Sequence, residues 1–402
     1  MFRNQLKSIS TKVTCMYFVS TTRITNSIKC LHLGTVPLKK SLTDDTMSVE
    51  ENNVILQDVG DKGLIILNRP KALNALNLSM INKIYPVLKQ WESSKSLVII
   101  KGAGEKAFCA GGDIKSLVVP LRDDKDGHKF GQEFFRREYT LNHLIGTFKK
   151  PYIALLNGIT MGGGVGLSIH GKYRIATDNT LFAMPETGIG LFPDIGGSYF
   201  LPRLKGKLGF YLGLTGHRLK GIDVYLAGLA THFVPKSQLD ELTETLLSPK
   251  NVNVEEILNN YQAKNLNQEF SLESHMKEIN RCFSAKTIEE IIEKLHAENS
   301  QWANSVIEIL QKVSPTSLKV TKKALDNGAN FDLSESLKME YRLACACLSK
   351  EGDFYEGVRA LLVDKDQKPM WNPKSINEVT DEYVNQRFAP LSDNLELTLS
   401  KL

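Results

Sequence analysis

Two carboxylates eight residues apart stand in a loop that is rich in proline and glycine. Glu186 and Asp194 lie within residues 184–197, together with two prolines and four glycines. The prolines and glycines prevent one continuous helix, so the local backbone conformation decides where the two acids point. Paired acids in a rigid loop are candidates for general acid and base catalysis. The alternative is a surface turn with two solvated carboxylates, because Asp and Glu are usually exposed.

Two glycine-rich turns precede this acidic loop. Gly111 and Gly112 lie within residues 107–115, and three consecutive glycines occupy residues 162–164. Each turn follows a predicted strand and precedes a predicted helix, where free backbone N–H groups can stabilise negative charge. The second turn is not a dinucleotide-binding motif, because Leu167 fills the position of its third glycine, and no phosphate-binding Gly-Lys-Ser/Thr follows. The ordered set of two turns and an acidic loop predicts an oxyanion hole facing acid and base carboxylates.

Alternating strand and helix patterns must position these segments. Apolar residues three and four apart predict an amphipathic helix over residues 78–92, and the apolar run 97–100 predicts a buried strand. The order strand, helix, strand favours an α/β fold with parallel pairing. Strand patterns fade from residue 206, so the second half of the chain is predicted to be mainly helical. The other predicted elements are strands at 54–56, 63–70, 152–156 and 173–177, and helices at 133–148 and 163–170.

The net charge of +5 is distributed unevenly along the 402 residues. Residues 1–43 contain seven Lys or Arg and no acid, so the rest of the chain carries about −2. A basic surface for nucleic acid is therefore not indicated. The segment 1–45 is rich in Ser and Thr and has no acid before Asp44, which is typical of a mitochondrial transit peptide; a disordered extension without a targeting role is the alternative. The uncharged run 152–171 has the length of a membrane helix, but its glycines and polar residues argue against one.

These motifs resemble those of the crotonase, or enoyl-CoA hydratase/isomerase, superfamily over residues 52–235. The resemblance implies a crotonase-like ββα spiral core at 52–235 and a mainly helical C-terminal region at 236–402. It also implies that the amides of Gly112 and Gly163 bind the carbonyl oxygen of a thioester. No metal or redox cofactor is implied, since coenzyme A enters as part of an acyl-CoA substrate.

Departures from the hydratase pattern narrow the expected reaction. Hydratases carry a second catalytic glutamate at the position of Gly166, while Glu186 is kept here and Asp194 replaces a usual glycine. The acidic pair resembles the branch of the superfamily that hydrolyses 3-hydroxyisobutyryl-CoA in valine breakdown, with 3-hydroxypropionyl-CoA as a second expected substrate. Glu138, which precedes Tyr139, resembles the glutamate that meets the acyl hydroxyl in that branch.

The roles of the individual groups stay open at this point. Glu186 is expected either to attack the carbonyl or to act as a base on water. Asp194 would hold the hydroxyl or orient the water, and its nearness to Glu186 should drive their pKa values apart. With Gly163 and Glu138, these two acids are the expected substrate contacts. Lys115 is a candidate for contact with the nucleotide part of coenzyme A, or else a solvated lysine.

Features outside the motifs are expected to be structural. Residues 353–373 resemble the C-terminal extension of the hydrolases and are expected to pack without a catalytic role. His143 and His170 are expected to be structural too, because no Ser or Cys nucleophile motif accompanies them. Two other functions stay open, an enoyl-CoA hydratase or isomerase and an inactive relative serving as a structural subunit of a mitochondrial assembly. The expected partner is a small acyl-CoA, with no nucleic acid or membrane and with self-association into a homo-oligomer left open.

Overall fold

The acidic loop and both glycine turns each follow a three-residue strand, and these three strands belong to the smaller of two sheets. The computed structural model describes residues 52–123, 127–249, 253–264 and 268–399. The strands are β1 (Val54–Val59), β2 (Lys62–Leu67), β3 (Leu97–Gly102), β4 (Ala107–Cys109), β5 (Tyr152–Leu156), β6 (Ile159–Met161), β7 (Tyr173–Ala176), β8 (Leu181–Ala183), β9 (Leu219–Lys220) and β10 (His232–Phe233).

Helices connect these strands and make up most of the second half of the chain. The α-helices are α1 (Leu78–Ser94), α2 (Ile114–Asp123), α3 (Gly127–Thr147), α4 (Gly163–Gly166), α5 (Gly197–Phe200), α6 (Leu208–Thr215), α7 (Ile222–Leu226), α8 (Leu239–Leu247), α9 (Val254–Tyr261), α10 (Met276–Cys282), α11 (Ile288–Glu298), α12 (Gln301–Lys312), α13 (Pro315–Gly328), α14 (Leu333–Cys347), α15 (Asp353–Val358) and α16 (Asp381–Arg387). Short 3-10 helices occur at Pro70–Ala72, Glu186–Ile189, Leu201–Arg203, Lys236–Gln238, Glu273–His275 and Ile376–Glu378, and a π-helix at Arg359–Val363.

The strand order shows the spiral architecture. The first sheet has six strands in the order β1-β2-β3-β5-β7-β10, and the second has four in the order β4-β6-β8-β9. The pairs β1–β2 and β8–β9 are antiparallel, and all the other pairs are parallel. From β3 to β8, consecutive strands therefore fall in different sheets, and the pairs β3–β4 and β5–β6 each lead into a helix. This arrangement is the ββα spiral, and the predicted parallel pairing is confirmed.

Both faces of the six-stranded sheet are buried, which explains the uninterrupted apolar run in β3. Val98 and Ile100 join the large core that also contains the aromatic residues of α3, whereas Leu97 and Ile99 belong to a second cluster on the opposite face. Leu242 and other residues of α8 and α9 cover that second face. A strand that is buried on both sides reads as a continuous apolar run because neither face is left to water.

Three differences between the predicted and the observed elements concern the segments that carry the site. The helix predicted at 133–148 begins earlier, at Gly127. The helix predicted at 163–170 is α-helical only to Gly166, because the chain then turns back to enter β7. The second sheet is missing from the prediction altogether. Its strands have three residues or fewer, so none of them is long enough to show a twofold alternation of side chains.

The expected transit peptide at 1–45 lies outside the described residues. The domain limits at 52–235 and 236–402 stay predictions; the described residues all fall within the compact unit Asp45–Leu402. Among the described residues, no helix has the length and apolar character needed to span a membrane. The uncharged run 152–171 instead contains β5, β6 and the short helix α4.

Candidate active site

The first glycine turn is held against a neighbouring loop by three backbone hydrogen bonds. Ala110 N donates to Leu73 O at 3.0 Å, Leu76 N donates to Gly111 O at 2.8 Å, and Asp113 N donates to Leu76 O at 2.7 Å. These bonds flank Gly112 on both sides and fix the direction of its amide. The turn after β4 is therefore rigid at the residue expected to donate to the oxyanion.

The second glycine turn approaches the first at van der Waals distance. A Cβ atom added to Gly163 would lie 3.1 Å from Gly112 N and 2.5 Å from the Glu138 carboxyl oxygen Oε1. Any side chain there would close the space between these groups, which explains why the position requires glycine. Within the described ranges, the backbone amides of Gly112 and Gly163 donate to no carbonyl. Two free, adjacent N–H groups are the donors that an oxyanion hole requires.

Glu138 projects from α3 into this region. Its side chain is buried, and its Oε1 atom has no hydrogen-bond partner in the protein. Burial, and then the charge of Asp194, raise the pKa of Glu138 well above its usual value. A raised pKa favours the protonated carboxyl, which can both donate and accept a hydrogen bond.

Glu186 is the first residue of the 3-10 helix that follows β8. Its Oε1 atom lies 2.9 Å from the position that a Cβ of Gly162 would occupy, so the carboxyl adjoins the second glycine turn. Its Oε2 atom is buried and has no partner in the protein. Burial, and then the charge of Asp194, raise the pKa of Glu186 well above its usual value. A polar oxygen this deeply buried without a partner is available to a substrate or a water molecule.

Asp194 is the third buried carboxyl of this site, and it accepts a hydrogen bond from a buried side-chain hydroxyl. Tyr139 Oη donates to Asp194 Oδ2 at 2.7 Å. Burial raises the pKa of Asp194 to about 6, while the Tyr139 hydroxyl opposes this rise. The donor favours the ionised form of Asp194, whereas Glu138 and Glu186 each have one oxygen without a donor. This asymmetry favours a lower pKa for Asp194 than for Glu138 and Glu186, and different pKa values are what the sequence predicts for Glu186 and Asp194.

The structure thus brings together Glu138, Glu186, Asp194 and the two glycine amides. The surface-turn alternative does not describe the acidic loop, since Glu186 is only 5% and Asp194 only 4% exposed. Lys115 is not part of this enclosed cluster. It is exposed in the first turn of α2, three residues after Gly112, and its contact with coenzyme A stays a prediction.

Gly166 has no room for the glutamate that hydratases carry. A Cβ atom there would lie 2.7 Å from Asn142 Nδ2 and 2.9 Å from Ile195 Cβ. Asn142 is fully buried on α3, and neither polar atom of its side chain has a partner in the protein. The space beside Gly166 is therefore filled by an amide that comes from a different element.

The C-terminal segment packs directly on the acidic loop. A Cβ atom on Gly190 would overlap the carbonyl of Asp353, and one on Gly357 would overlap the backbone of Ile189. Ser314 N also donates to Thr187 O at 3.1 Å. The C-terminal region therefore supports the 3-10 helix that begins with Glu186, and the expectation that its residues pack agrees with this contact.

Sequence reasoning missed three supporting residues of the site, namely Tyr139, Asn142 and Glu340. Tyr139 and Asn142 follow Glu138 on α3 by one and four residues, so their helical spacing offered a weak signal. Nothing in the local sequence distinguishes Glu340 from other helix glutamates.

His170 is expected to be structural. Its Nε2 atom lies 2.7 Å from Ile195 O, and burial lowers the pKa of His170 to about 4. A carbonyl only accepts hydrogen bonds, so this nitrogen carries the proton of a neutral imidazole.

Comparison with known proteins gives matches over most of the chain. A family model described as enoyl-CoA hydratase/isomerase matches residues 62–388. The protein named "3-hydroxyisobutyryl-CoA hydrolase, mitochondrial" from Homo sapiens is 53% identical over 361 residues, which cover 88% of this chain and 92% of the relative. The protein of the same name from Rattus norvegicus is 54% identical over 350 residues, which cover 85% of this chain and 90% of the relative.

Solved structures give the same architecture. A carnitinyl-CoA dehydratase from Mycobacterium thermoresistibile has a TM-score of 0.80 and 36% identity, covering 86% of this chain and 98% of its own. An enoyl-CoA hydratase from Rhodobacter sphaeroides 2.4.1 has a TM-score of 0.79 and 36% identity, covering 86% of this chain and 100% of its own. The family-model match at residues 62–388 spans the positions of the buried carboxyl groups, both glycine turns and the C-terminal helices as far as Arg387.

Proposed function

Because the chain belongs to the enoyl-CoA hydratase/isomerase family, we propose that its buried acids hydrolyse an acyl-CoA thioester, 3-hydroxyisobutyryl-CoA. The relatives at 53–54% identity carry the name of that hydrolase, whereas the solved dehydratase and hydratase are 36% identical. The observation that carries the proposal is that the acidic side chains around the glycine turns differ from those of a hydratase. Gly166 leaves no space for the hydratase glutamate, and Asp194 supplies a buried carboxyl from the acidic loop.

The oxyanion hole would bind the thioester carbonyl oxygen. The amides of Gly112 and Gly163 adjoin each other and make no backbone hydrogen bond of their own. As the carbonyl carbon becomes tetrahedral, negative charge develops on its oxygen, and both amides stabilise it. Removal of one such donor typically costs ~10²- to 10³-fold in rate.

Glu186 would activate the nucleophile beside this hole. In one route, its carboxylate removes a proton from water, and the water oxygen forms a bond to the carbonyl carbon. The C–S bond then breaks, and the proton passes to the departing thiolate to give the free acid and coenzyme A. In the other route, the carboxylate itself attacks the carbonyl carbon, and the C–S bond breaks to give an anhydride and the coenzyme A thiolate. Water then cleaves the anhydride to the free acid and the Glu186 carboxylate, and the proton released in this step passes to the thiolate. A carboxyl whose pKa is raised by burial suits proton transfer at neutral pH.

A single turnover in ¹⁸O-labelled water separates the two routes. Attack of water on the thioester puts the label in the product acid and none in the protein. Attack by Glu186 followed by cleavage of the anhydride at its side-chain carbonyl leaves the label in the Glu186 carboxyl, which peptide mass spectrometry detects.

Glu138 and Asp194 would select the hydroxyacyl group. The unpartnered Oε1 of Glu138 adjoins Gly163, so it lies next to the proposed carbonyl site. A protonated carboxyl there can exchange hydrogen bonds with a hydroxyl on the acyl chain. Asp194, held by Tyr139, would hold the same hydroxyl or orient the water. On this basis, 3-hydroxypropionyl-CoA is a second proposed substrate.

The proposed reaction uses no metal or redox cofactor, because amides stabilise the oxyanion and carboxyl groups move the protons. Dialysis against EDTA should leave the rate of thiol release unchanged. A loss of rate that a divalent ion restores would overturn this part of the proposal.

The relatives are named as mitochondrial proteins, and we propose the mitochondrial matrix as the location of this chain too. Self-association into a homo-oligomer is a separate proposal that light scattering tests.

The test of the function is a panel of acyl-CoA substrates with two readouts on the same sample. Free thiol is measured with 3-hydroxyisobutyryl-, 3-hydroxypropionyl-, 3-hydroxybutyryl- and crotonyl-CoA, and hydration is followed for crotonyl-CoA. The proposal predicts thiol release from the first two and little hydration. Rapid hydration without thiol release would identify a hydratase. No turnover of any substrate, with the chain found in a large assembly, would favour a structural subunit.

A further inference from the structure

The residue after Asp194 has a strained backbone conformation. Ile195 has φ +53°, a left-handed conformation that β-branched residues rarely adopt, and Gly196 follows at φ +86°. The surrounding structure must hold such a conformation in place. Because Asp194 immediately precedes this turn, whatever holds the turn also sets the direction of the Asp194 side chain.

Glu340 holds the turn from a distant helix. Its side chain is fully buried on α14, and its Oε2 accepts a hydrogen bond from Gly196 N at 2.6 Å. Its Oε1 accepts from Ser198 N at 2.8 Å and from Ser198 Oγ at 2.5 Å. Both carboxyl oxygens of Glu340 therefore accept hydrogen bonds from the first and third residues after the strained position.

Two further contacts support the turn and Asp194. His170 donates to the carbonyl of Ile195 from the opposite end of the strained residue. Tyr341, next to Glu340, packs edge-on against the ring of Tyr139 with centroids 6.4 Å apart. Tyr139 in turn donates to Asp194. Two adjacent residues of α14 thus support Asp194, one through the backbone behind it and one through its hydrogen-bond donor.

We propose that Glu340 is a positioning residue of the catalytic site, which directs Asp194 by holding the backbone of Gly196 and Ser198. The proposal rests on the proposed thioesterase function. It assigns a catalytic purpose to α14, a helix that the sequence indicates only as part of a mainly helical region. Glu340 itself does not touch the substrate, and its effect passes entirely through Asp194.

The chemistry of the contact explains why a carboxyl group, with two acceptor oxygens, is required. Three donors converge on the two oxygens of Glu340, so each oxygen must accept. In Glu340→Gln the side chain keeps its shape but has only one acceptor oxygen. Its NH₂ group would face a backbone N–H or the Ser198 hydroxyl, and at least one contact would become a donor facing a donor. The strained turn should then relax while the core stays packed.

The experiment compares the wild type, Glu340→Gln, Asp194→Asn and the double variant. Glu340→Gln should reduce kcat for thiol release from 3-hydroxyisobutyryl-CoA by ~10²-fold, the size expected for a misplacement of about 1 Å, with little change in KM. In the Asp194→Asn background, the same substitution should cause little further loss, because the group it positions is already altered. Hydrogen exchange of the amides of Gly196 and Ser198 should become faster in Glu340→Gln.

Glu335→Ala is the matched control on the same helix. Glu335 is exposed and forms the capping box of α14 with Asp332, so its loss destabilises the helix without touching the acidic loop. The control should lower the melting temperature and keep kcat. Equal losses caused by Glu340→Gln in the wild-type and Asp194→Asn backgrounds would overturn the proposal, and so would unchanged amide exchange. A wild type that releases no thiol would instead refute the proposed function, while the exchange result would still report on the turn.

Discussion

The hydroxyl of Tyr139 controls the ionisation of Asp194 in this account, and Tyr139→Phe removes that hydroxyl alone. The phenyl ring can keep its contacts with Phe135 and Tyr341, since both are ring-to-ring contacts. What disappears is the 2.7 Å hydrogen bond from Tyr139 Oη to Asp194 Oδ2. The substitution therefore tests one interaction with little change in packing.

The size of the effect follows from the charge on the acceptor. A hydrogen bond to a charged group contributes about 1.5–3 kcal/mol, and one pKa unit corresponds to about 1.4 kcal/mol. The pKa of Asp194, raised to about 6 by burial, should rise by a further ~1–2 units in the variant. Asp194 acts as the carboxylate, so activity rises with pH through its pKa. The variant should lose about 2- to 10-fold at pH 7, more at lower pH, and recover at high pH.

The assay is the pH dependence of kcat/KM for thiol release, corrected for spontaneous hydrolysis. Tyr152→Phe is the matched control, because Tyr152 is also fully buried and donates one hydrogen bond, at 2.9 Å, to the carbonyl of Leu167. The acidic limb of the profile should shift to higher pH in Tyr139→Phe and stay in place in Tyr152→Phe. An unmoved limb, or an equal loss at every pH, would show that Tyr139 does not govern the ionisation of Asp194.

Two further predictions concern stability and packing. Because burial raises the pKa of Asp194 from 3.8 to about 6, the folded chain binds this proton more tightly than the unfolded chain, and the free energy of unfolding falls as pH rises between these values. Asp194→Asn should therefore gain stability over the wild type, near zero at pH 4 and about 3 kcal/mol at pH 7; denaturant unfolding at both values measures it, and a pH-independent difference would contradict it. Gly357→Ala should clash with the backbone of Ile189, cost about 1–3 kcal/mol and slow thiol release by shifting the 3-10 helix of Glu186. Gly188→Ala, whose methyl would meet nothing within 4 Å, should preserve both properties, and equal behaviour of the two variants would refute the packing argument.

Local sequence patterns predicted the elements whose side-chain periodicity is long enough to be read. The helix predicted at 78–92 is observed as Leu78–Ser94, and the apolar run 97–100 lies in the strand Leu97–Gly102. The strands of the second sheet could not be predicted in this way. Ile159–Met161, for example, has three residues and runs directly into glycines.

The site was predictable as far as its motifs are contiguous in sequence. Glu186 and Asp194 share one loop, and glycine marks both turns. The supporting contacts instead join distant positions: Tyr139 and Asp194 are 55 residues apart, and Glu340 and Ser198 are 142 apart. Such pairs form only when helices dock on the loop, so no local pattern indicates them.

The central claim is that Glu186 and Asp194 together cleave the thioester. The most direct test measures thiol release from 3-hydroxyisobutyryl-CoA at saturating substrate by the wild type, Glu186→Gln and Asp194→Asn, with folding verified by circular dichroism. The account predicts that the wild type turns over and that each variant, though folded, loses at least ~10²-fold in kcat. Turnover by both variants at the wild-type rate would contradict it.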